Sequence, residues 1–244
     1  MQGRGYGYGG GMGMTPMVQR LLIANGLVFL AQNVWPLLNT VGPISPAAFF
    51  RGMIWQPFTY MWLHAGLFHL FMNMFVLWMF GGTLESVWGS KRFLRFYLTC
   101  GVGAGFVILI WNSLMRMYFI PTLGASGAIF GLLMAFSLMW PDRTIMLLFP
   151  PMPVKAIWFI PLLFVMQFAL DGGRSNISYS GHLGGVLVAA VLLRKEFHST
   201  FSFSSLRFRW HRWRMRRRLR AVRHDEWSRR RKPRDDDDPP SRIH

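Results

Sequence analysis

The sequence predicts an all-α membrane protein of six transmembrane helices, with an interfacial loop between the first and second. Three observations carry this. Of 244 residues, 52% are hydrophobic, among them 22 Phe, 17 Met and 11 Trp. The chain nevertheless holds 27 Lys and Arg against 10 Asp and Glu, a formal charge of +17. A soluble globule reconciles these poorly, whereas a membrane protein with basic cytoplasmic segments combines them naturally. Finally, residues 17–193 have room for six runs of the roughly 20 apolar residues that a span requires.

The organisation follows from composition. Residues 1–16 form a flexible, glycine-rich N-terminus, 17–193 the six-helix core and 194–244 a basic C-terminal tail. The first helix is expected over 17–38. Its apolar stretch from Leu21 to Leu30 could pass for the centre of a signal peptide, but no small-residue cleavage site follows, so it reads as a retained span. Prolines 43, 46 and 57, set among large aromatics, mark the interfacial loop. Further helices are expected over 67–83, 92–114, 125–140, 154–170 and 180–193. The fourth and sixth are short and rich in small residues, which suits buried central helices.

Charge sets the orientation. Lys91, Arg92 and Arg95, then Arg143 and Lys155, then Arg194, Lys195 and the tail fall on one side; the other has Arg51, Arg116 and Arg174. The positive-inside rule places both termini in the cytoplasm. In the tail, R-F-R-W-H-R-W-R-M-R-R-R-L-R puts Leu206, Trp210 and Trp213 on one helical face, the pattern of a basic interfacial helix on anionic lipid. Nucleic-acid binding and a merely solvated tail are the other readings, and nucleic acid is not the expected partner. The D-D-D-D-P-P segment after it reads as disordered. Cys100 is the sole cysteine, so no intramolecular disulfide can form, and no Cys/His metal cluster or cofactor is expected.

Polar groups in hydrocarbon point to function. Ser126 stands in T-L-G-A-S-G-A-I-F-G, at the start of the fourth helix. His182 stands in Y-S-G-H-L-G-G, near the start of the sixth. Glycines 124, 127 and 131 on one helix and 181, 184 and 185 on the other would let the two backbones approach closely. That packing would bring Ser126 and His182 to one depth. A neutral imidazole in hydrogen-bond reach could then take the hydroxyl proton, leaving a nucleophilic serine. The free N–H groups and positive dipole end of the fourth helix would favour negative charge there. His64, His69 and Asn73 lie together in H-A-G-L-F-H-L-F-M-N at the outer end of the second helix, with His69 and Asn73 four apart on one face. They could supply oxyanion donors, or form a hydrogen-bonded patch that joins helices. Asp171 is loop-borne and Glu85 lies on the opposite side, so no carboxylate is placed for a triad; the arrangement would be a dyad.

With these residues in order, the chain resembles the rhomboid intramembrane serine proteases. The resemblance rests on H-A-G-L-F-H-L-F-M-N (64–73), E-S-V-W-G-S (85–90), G-A-S-G (124–127) and G-H-L-G-G (181–185), and it covers about residues 17–193. It implies a six-helix bundle around a cavity open to the outer face, with a dyad matching Ser126 and His182. His69 and Asn73 match residues near the oxyanion, His64 a supporting histidine, and Gly124 the glycine that lets substrate reach the serine. Glu85, Gly89 and Ser90 match a structural turn. Two departures stand out: Trp55-Gln56 where the family often has Trp-Arg, and Ala189 where a glycine is usual.

The resemblance implies an endopeptidase that cleaves transmembrane segments of membrane proteins near the outer face. Substrate would enter between the second and fifth helices. A catalytically silent relative that binds membrane clients is the alternative, and a small proton-linked transporter a more distant one. With no mitochondrial-type transit sequence evident, a bacterial plasma membrane is the expected location.

Overall fold

A computed structural model of the chain describes residues 14–147, 151–171 and 179–194. The glycine-rich N-terminal expectation, apart from residues 14–16, and nearly all of the basic tail fall outside the described residues.

The described chain is mostly helical. Helix α1 (Pro16–Val34) starts with proline in its first turn, where a missing N–H costs nothing. It stops short of the expected residue 38: Trp35 turns extended, and Pro36 cannot continue the hydrogen-bond ladder. The loop that follows is more ordered than the sequence suggests. It contains three single-turn helices, α2 (Leu38–Val41), α3 (Pro46–Phe50) and α4 (Gln56–Thr59), and a 3₁₀ turn, Tyr60–Trp62. Phe50, Ile54 and Phe58 on it are exposed while Ile44, Tyr60 and Met61 are buried, the division expected of an interfacial segment.

Helix α5 (Leu67–Trp88) runs one turn beyond the expected residue 83. Gly89, at φ +76°, ends it and opens α6 (Ser90–Leu114). Glu85 ties this junction together. Its carboxylate accepts the Ser90 hydroxyl, the Thr15 hydroxyl and the backbone N–H groups of Met17 (2.9 Å) and Val18 (2.9 Å), so one side chain caps α1 and joins it to the α5–α6 turn.

Helices α7 (Ser126–Met139) and α9 (Tyr179–Leu192) form the centre, with α6 packed on both. Almost every residue of α7 is buried. A Cβ on Gly127 would meet the Gly181 carbonyl at 3.3 Å, and one on Gly131 would meet the Gly185 carbonyl at 3.4 Å. Both helices advance four residues between these contacts, so they run parallel in backbone contact. The departure at Ala189 is absorbed: its methyl is fully buried.

Helix α8 (Ala156–Asp171) is preceded by a small antiparallel hairpin, β1 (Thr144–Met146) and β2 (Pro153–Lys155), in which Ile145 pairs with Val154. The hairpin departs from the all-α expectation; its alternating exposed–buried–exposed pattern is strand-like on so short a scale that helix periodicity obscures it. Among the described residues, α1, α5 and α6 are long and apolar enough to cross a membrane, and α7, α8 and α9 are shorter apolar helices.

Candidate active site

Ser126 is the first residue of α7, preceded by Ala125 in helical conformation. Gly124, just before, sits at φ +130°, which a side chain would strain. Its N–H donates to the Tyr60 carbonyl (2.9 Å), and the Tyr60 hydroxyl donates to the Gly101 carbonyl (2.7 Å). The interfacial loop is thereby anchored between the strand-like approach to the serine and helix α6. A second tie is the Ile44–Thr122 bridge, with both N–H···O distances at 2.8 Å.

A Cβ on Gly124 would fall 2.8 Å from His69 Cε1, 3.1 Å from His69 Nε2 and 3.7 Å from the Ser126 Oγ. The serine hydroxyl and the His69 ring therefore meet the same small volume, kept open by the glycine. His69 Nδ1 accepts the backbone N–H of Ala65 (3.4 Å). A neutral imidazole accepting at Nδ1 carries its proton on Nε2, the nitrogen beside Gly124. Asn73, one turn along α5, is buried and spends one of its two amide protons on the His69 carbonyl (2.8 Å).

His64 corrects an expectation. It does not lie on the helix with His69 and Asn73; α5 begins at Leu67, and Gly66 before it is extended. His64 instead packs its buried ring edge-on to His69, 5.3 Å between centroids. Its backbone is held from α1: the His64 N–H donates to Gln32 Oε1 (2.9 Å) and Gln32 Nε2 donates to the His64 carbonyl (3.3 Å). Gln32 is steadied in turn by Asn39, at 2.7 Å. Both His64 ring nitrogens are buried without a hydrogen-bond partner among the described residues. Burial first, and then the His69 ring, hold this loop histidine down to about 4 from its ordinary 6.5.

His182 lies in the first turn of α9, buried, with its ring stacked on Phe130 at 4.2 Å and 11°. Phe130 is four residues beyond Ser126 and so lies on the same face of α7. Nδ1 of His182 faces the side-chain amide of Gln167 on α8, 3.0 Å from its nitrogen and 3.2 Å from its oxygen. The glycine seam, the Phe130 stack and the His69–Gly124 contact thus gather Ser126, His182, His69 and Gly124 at one end of the bundle, with Asn73 and His64 behind them. Sequence reasoning missed Gln32 and Gln167; both are glutamines on apolar helices, and the expense of a buried amide was the available signal.

Gln56, the departure from Trp-Arg, is fully buried and accepts the Ser45 N–H (3.3 Å), so the loop keeps a polar anchor at this position.

Residues 51–198 match the family described as Rhomboid domain. The chain belongs to the rhomboid family. This rhomboid is 34% identical over 131 residues to Rhomboid protein 1, mitochondrial, of Saccharomyces cerevisiae, covering 52% of this chain and 38% of that protein. It is 34% identical over 138 residues to Rhomboid protease GluP of Bacillus subtilis, covering 56% of this chain and 25% of that one. It is 33% identical over 126 residues to the human Presenilin-associated rhomboid-like protein, mitochondrial, covering 51% and 33%. The chain therefore spans less than two fifths of the length of these relatives. Two of the three are mitochondrial, so a bacterial plasma membrane is not supported over a mitochondrial one; what stands is that this rhomboid is a membrane protein.

Proposed function

We propose that this rhomboid is an intramembrane serine endopeptidase that cleaves transmembrane segments of membrane proteins through a Ser126–His182 dyad. The observation that carries the reading is the His182 ring stacked on Phe130, one turn from Ser126 on the same face of α7. Ser126 attacks the scissile carbonyl while His182 takes its proton. The imidazolium then protonates the leaving amine, and water, activated by His182, releases the acyl group. Gly124 leaves room for the substrate backbone. The Nε2–H of His69 and the remaining Asn73 amide proton are candidate oxyanion donors, supplemented by the free N–H groups at the start of α7. His64 backs His69 sterically.

Six spans fit this reading, with α7 enclosed by the others and α9 packed against it on one face. Helices of 14 residues are about 21 Å long, shorter than a hydrocarbon layer of about 30 Å, so Ser126 would sit below the outer surface at the floor of a polar recess. Both termini are on the cytoplasmic side by the positive-inside rule, and the basic tail rests on anionic lipid. Substrate enters between α5 and α8, and small or helix-breaking residues near its cleavage site ease local unwinding.

The test is fluorophosphonate labelling and cleavage of a model transmembrane substrate by the purified protein, beside Ser126→Ala and His182→Ala. Both variants should lose labelling and cleavage; Ser126→Ala should keep the wild-type melting temperature, and His182→Ala, which removes a buried stacked ring, should stay folded at a lower one. Undiminished cleavage by Ser126→Ala would overturn the mechanism.

A further inference from the structure

We infer that Gln167 is a positioning residue for His182: its amide oxygen accepts the proton on Nδ1 and so selects the tautomer whose Nε2 is free to act as base. The inference rests on the Ser126–His182 reading.

A neutral imidazole has one N–H and one lone pair, on different nitrogens. To deprotonate a serine, the ring must turn its lone pair to the hydroxyl and carry its proton on the other side. Among the described residues, the hydrogen-bond partner at Nδ1 is the Gln167 amide, with oxygen at 3.2 Å and nitrogen at 3.0 Å. These two atoms have opposite consequences. With the oxygen toward the ring, Nδ1 holds the proton and Nε2 is left as base. With the nitrogen toward the ring, the amide donates to Nδ1, the proton moves to Nε2, and the histidine cannot accept from serine. A half-turn of the amide exchanges the two.

Catalysis itself favours the first orientation. Once His182 has taken the serine proton it is an imidazolium, a donor at both nitrogens, and only the amide oxygen can answer at Nδ1. The amide thus fills the place a carboxylate takes in a triad, as a neutral dipole that adds no buried charge. Gln167 is itself held on the backbone side, where its carbonyl accepts the Tyr179 hydroxyl at 3.4 Å. The Phe130 stack fixes the plane of the ring; Gln167 fixes which nitrogen bears hydrogen.

The experiment compares the full-length wild type with Gln167→Met, which keeps the length of the side chain and removes the hydrogen bond, and with Gln167→Glu. Ser126→Ala and His182→Ala are the blanks, and melting temperature controls for folding. Gln167→Met should lower the fluorophosphonate labelling rate and kcat about tenfold to a hundredfold, part of the 10²–10⁴ that a general base supplies in all, with KM unchanged. Gln167→Glu should recover rate and shift the acid limb of the pH–rate profile to higher pH, because a carboxylate favours the charged ring. A folded Gln167→Met enzyme with wild-type labelling and kcat would overturn the inference, as would a Gln167→Glu profile superimposable on the wild type's. If the two blanks are silent while Gln167→Met is unaffected, only this inference fails. If Ser126→Ala still cleaves, the dyad fails and takes the inference with it.

Discussion

Two of the neighbours of α7, the helices α9 and α8, meet it in opposite ways. Helix α9 comes into backbone contact with it: a Cβ on Gly185 would collide with the Gly127 carbonyl, and Cβ atoms on Gly127 and Gly131 would stand only 3.3 Å and 3.4 Å from the Gly181 and Gly185 carbonyls. Helix α8 leans on α7 through large rings, Phe130–Phe164 at 5.5 Å, and leaves Trp158, Val165 and Phe168 at 63%, 64% and 69% exposure. It also contains Pro161, which has no N–H for the ladder. Backbone contact between parallel helices allows one register; contact through flexible side chains allows several. The seam therefore holds the two proposed reacting groups, and on the proposed reading the wall beside it is the element that gives way to a substrate. Yet the wall carries Gln167, whose amide lies 3.2 Å from His182 Nδ1, so on the proposed reading the orientation of His182 depends on α8 being in place.

The strongest way to break the contrast is Gly185→Val. Its Cβ would run into the Gly127 carbonyl, a collision that no rotamer relieves. The expected loss is about 3 kcal/mol or more, the upper range for overpacking, read as a large fall in melting temperature and in folded yield. A wild-type melting temperature would mean that the seam is looser than described. Gly124→Ala acts at the edge of the seam. It adds strain of about 1–2 kcal/mol at φ +130° and pushes against His69. If His69 is an oxyanion donor, labelling should drop about 10²-fold beyond any stability change.

His64 tests the opposite flank, against α1. Its value in the fold lies below its ordinary one, so the unfolded chain takes up a proton first as pH falls. The fold should keep full stability above pH 6.5, lose it progressively toward about pH 4, and change no further from this group below that. In His64→Phe that portion of the pH dependence should flatten, checked by thermal unfolding across the range. The smallest effect is expected from Phe168→Ala on the open face of α8. With the ring 69% exposed, stability should shift by no more than about 0.5 kcal/mol, whereas an equal truncation in the seam region, Phe130→Ala, should cost about 3–5 kcal/mol and disturb His182. Equal losses would erase the distinction between seam and wall.

Much of this was legible in the chain because it depends on local pattern. Apolar run lengths mark the helices, and G-A-S-G and G-H-L-G-G mark where two of them touch. The motif order pointed to the family before any geometry. Other features were not legible. The shared motif groups His64 with His69 and Asn73 at the end of one helix, but the extended Gly66 separates it from α5, which starts at Leu67. The loop's short helices and the β1–β2 hairpin are too brief to leave a periodic signal.

Sequence alone determined the membrane-protein class, the set of polar residues that hydrocarbon must accommodate, and the small residues that permit close packing, because each follows from composition and spacing along one chain. Tertiary structure alone decided which partner each polar group meets: Gln32 for the His64 backbone, Phe130 for the His182 ring, Gln167 for its Nδ1. Those partners lie between 15 and 52 residues apart, on separate helices or segments: Gln167–His182 (15), Gln32–His64 (32) and Phe130–His182 (52). Only packing, of α1 on the loop before α5, of α9 along the glycine seam and of α8 beside it, brings them within hydrogen-bond or ring-contact distance.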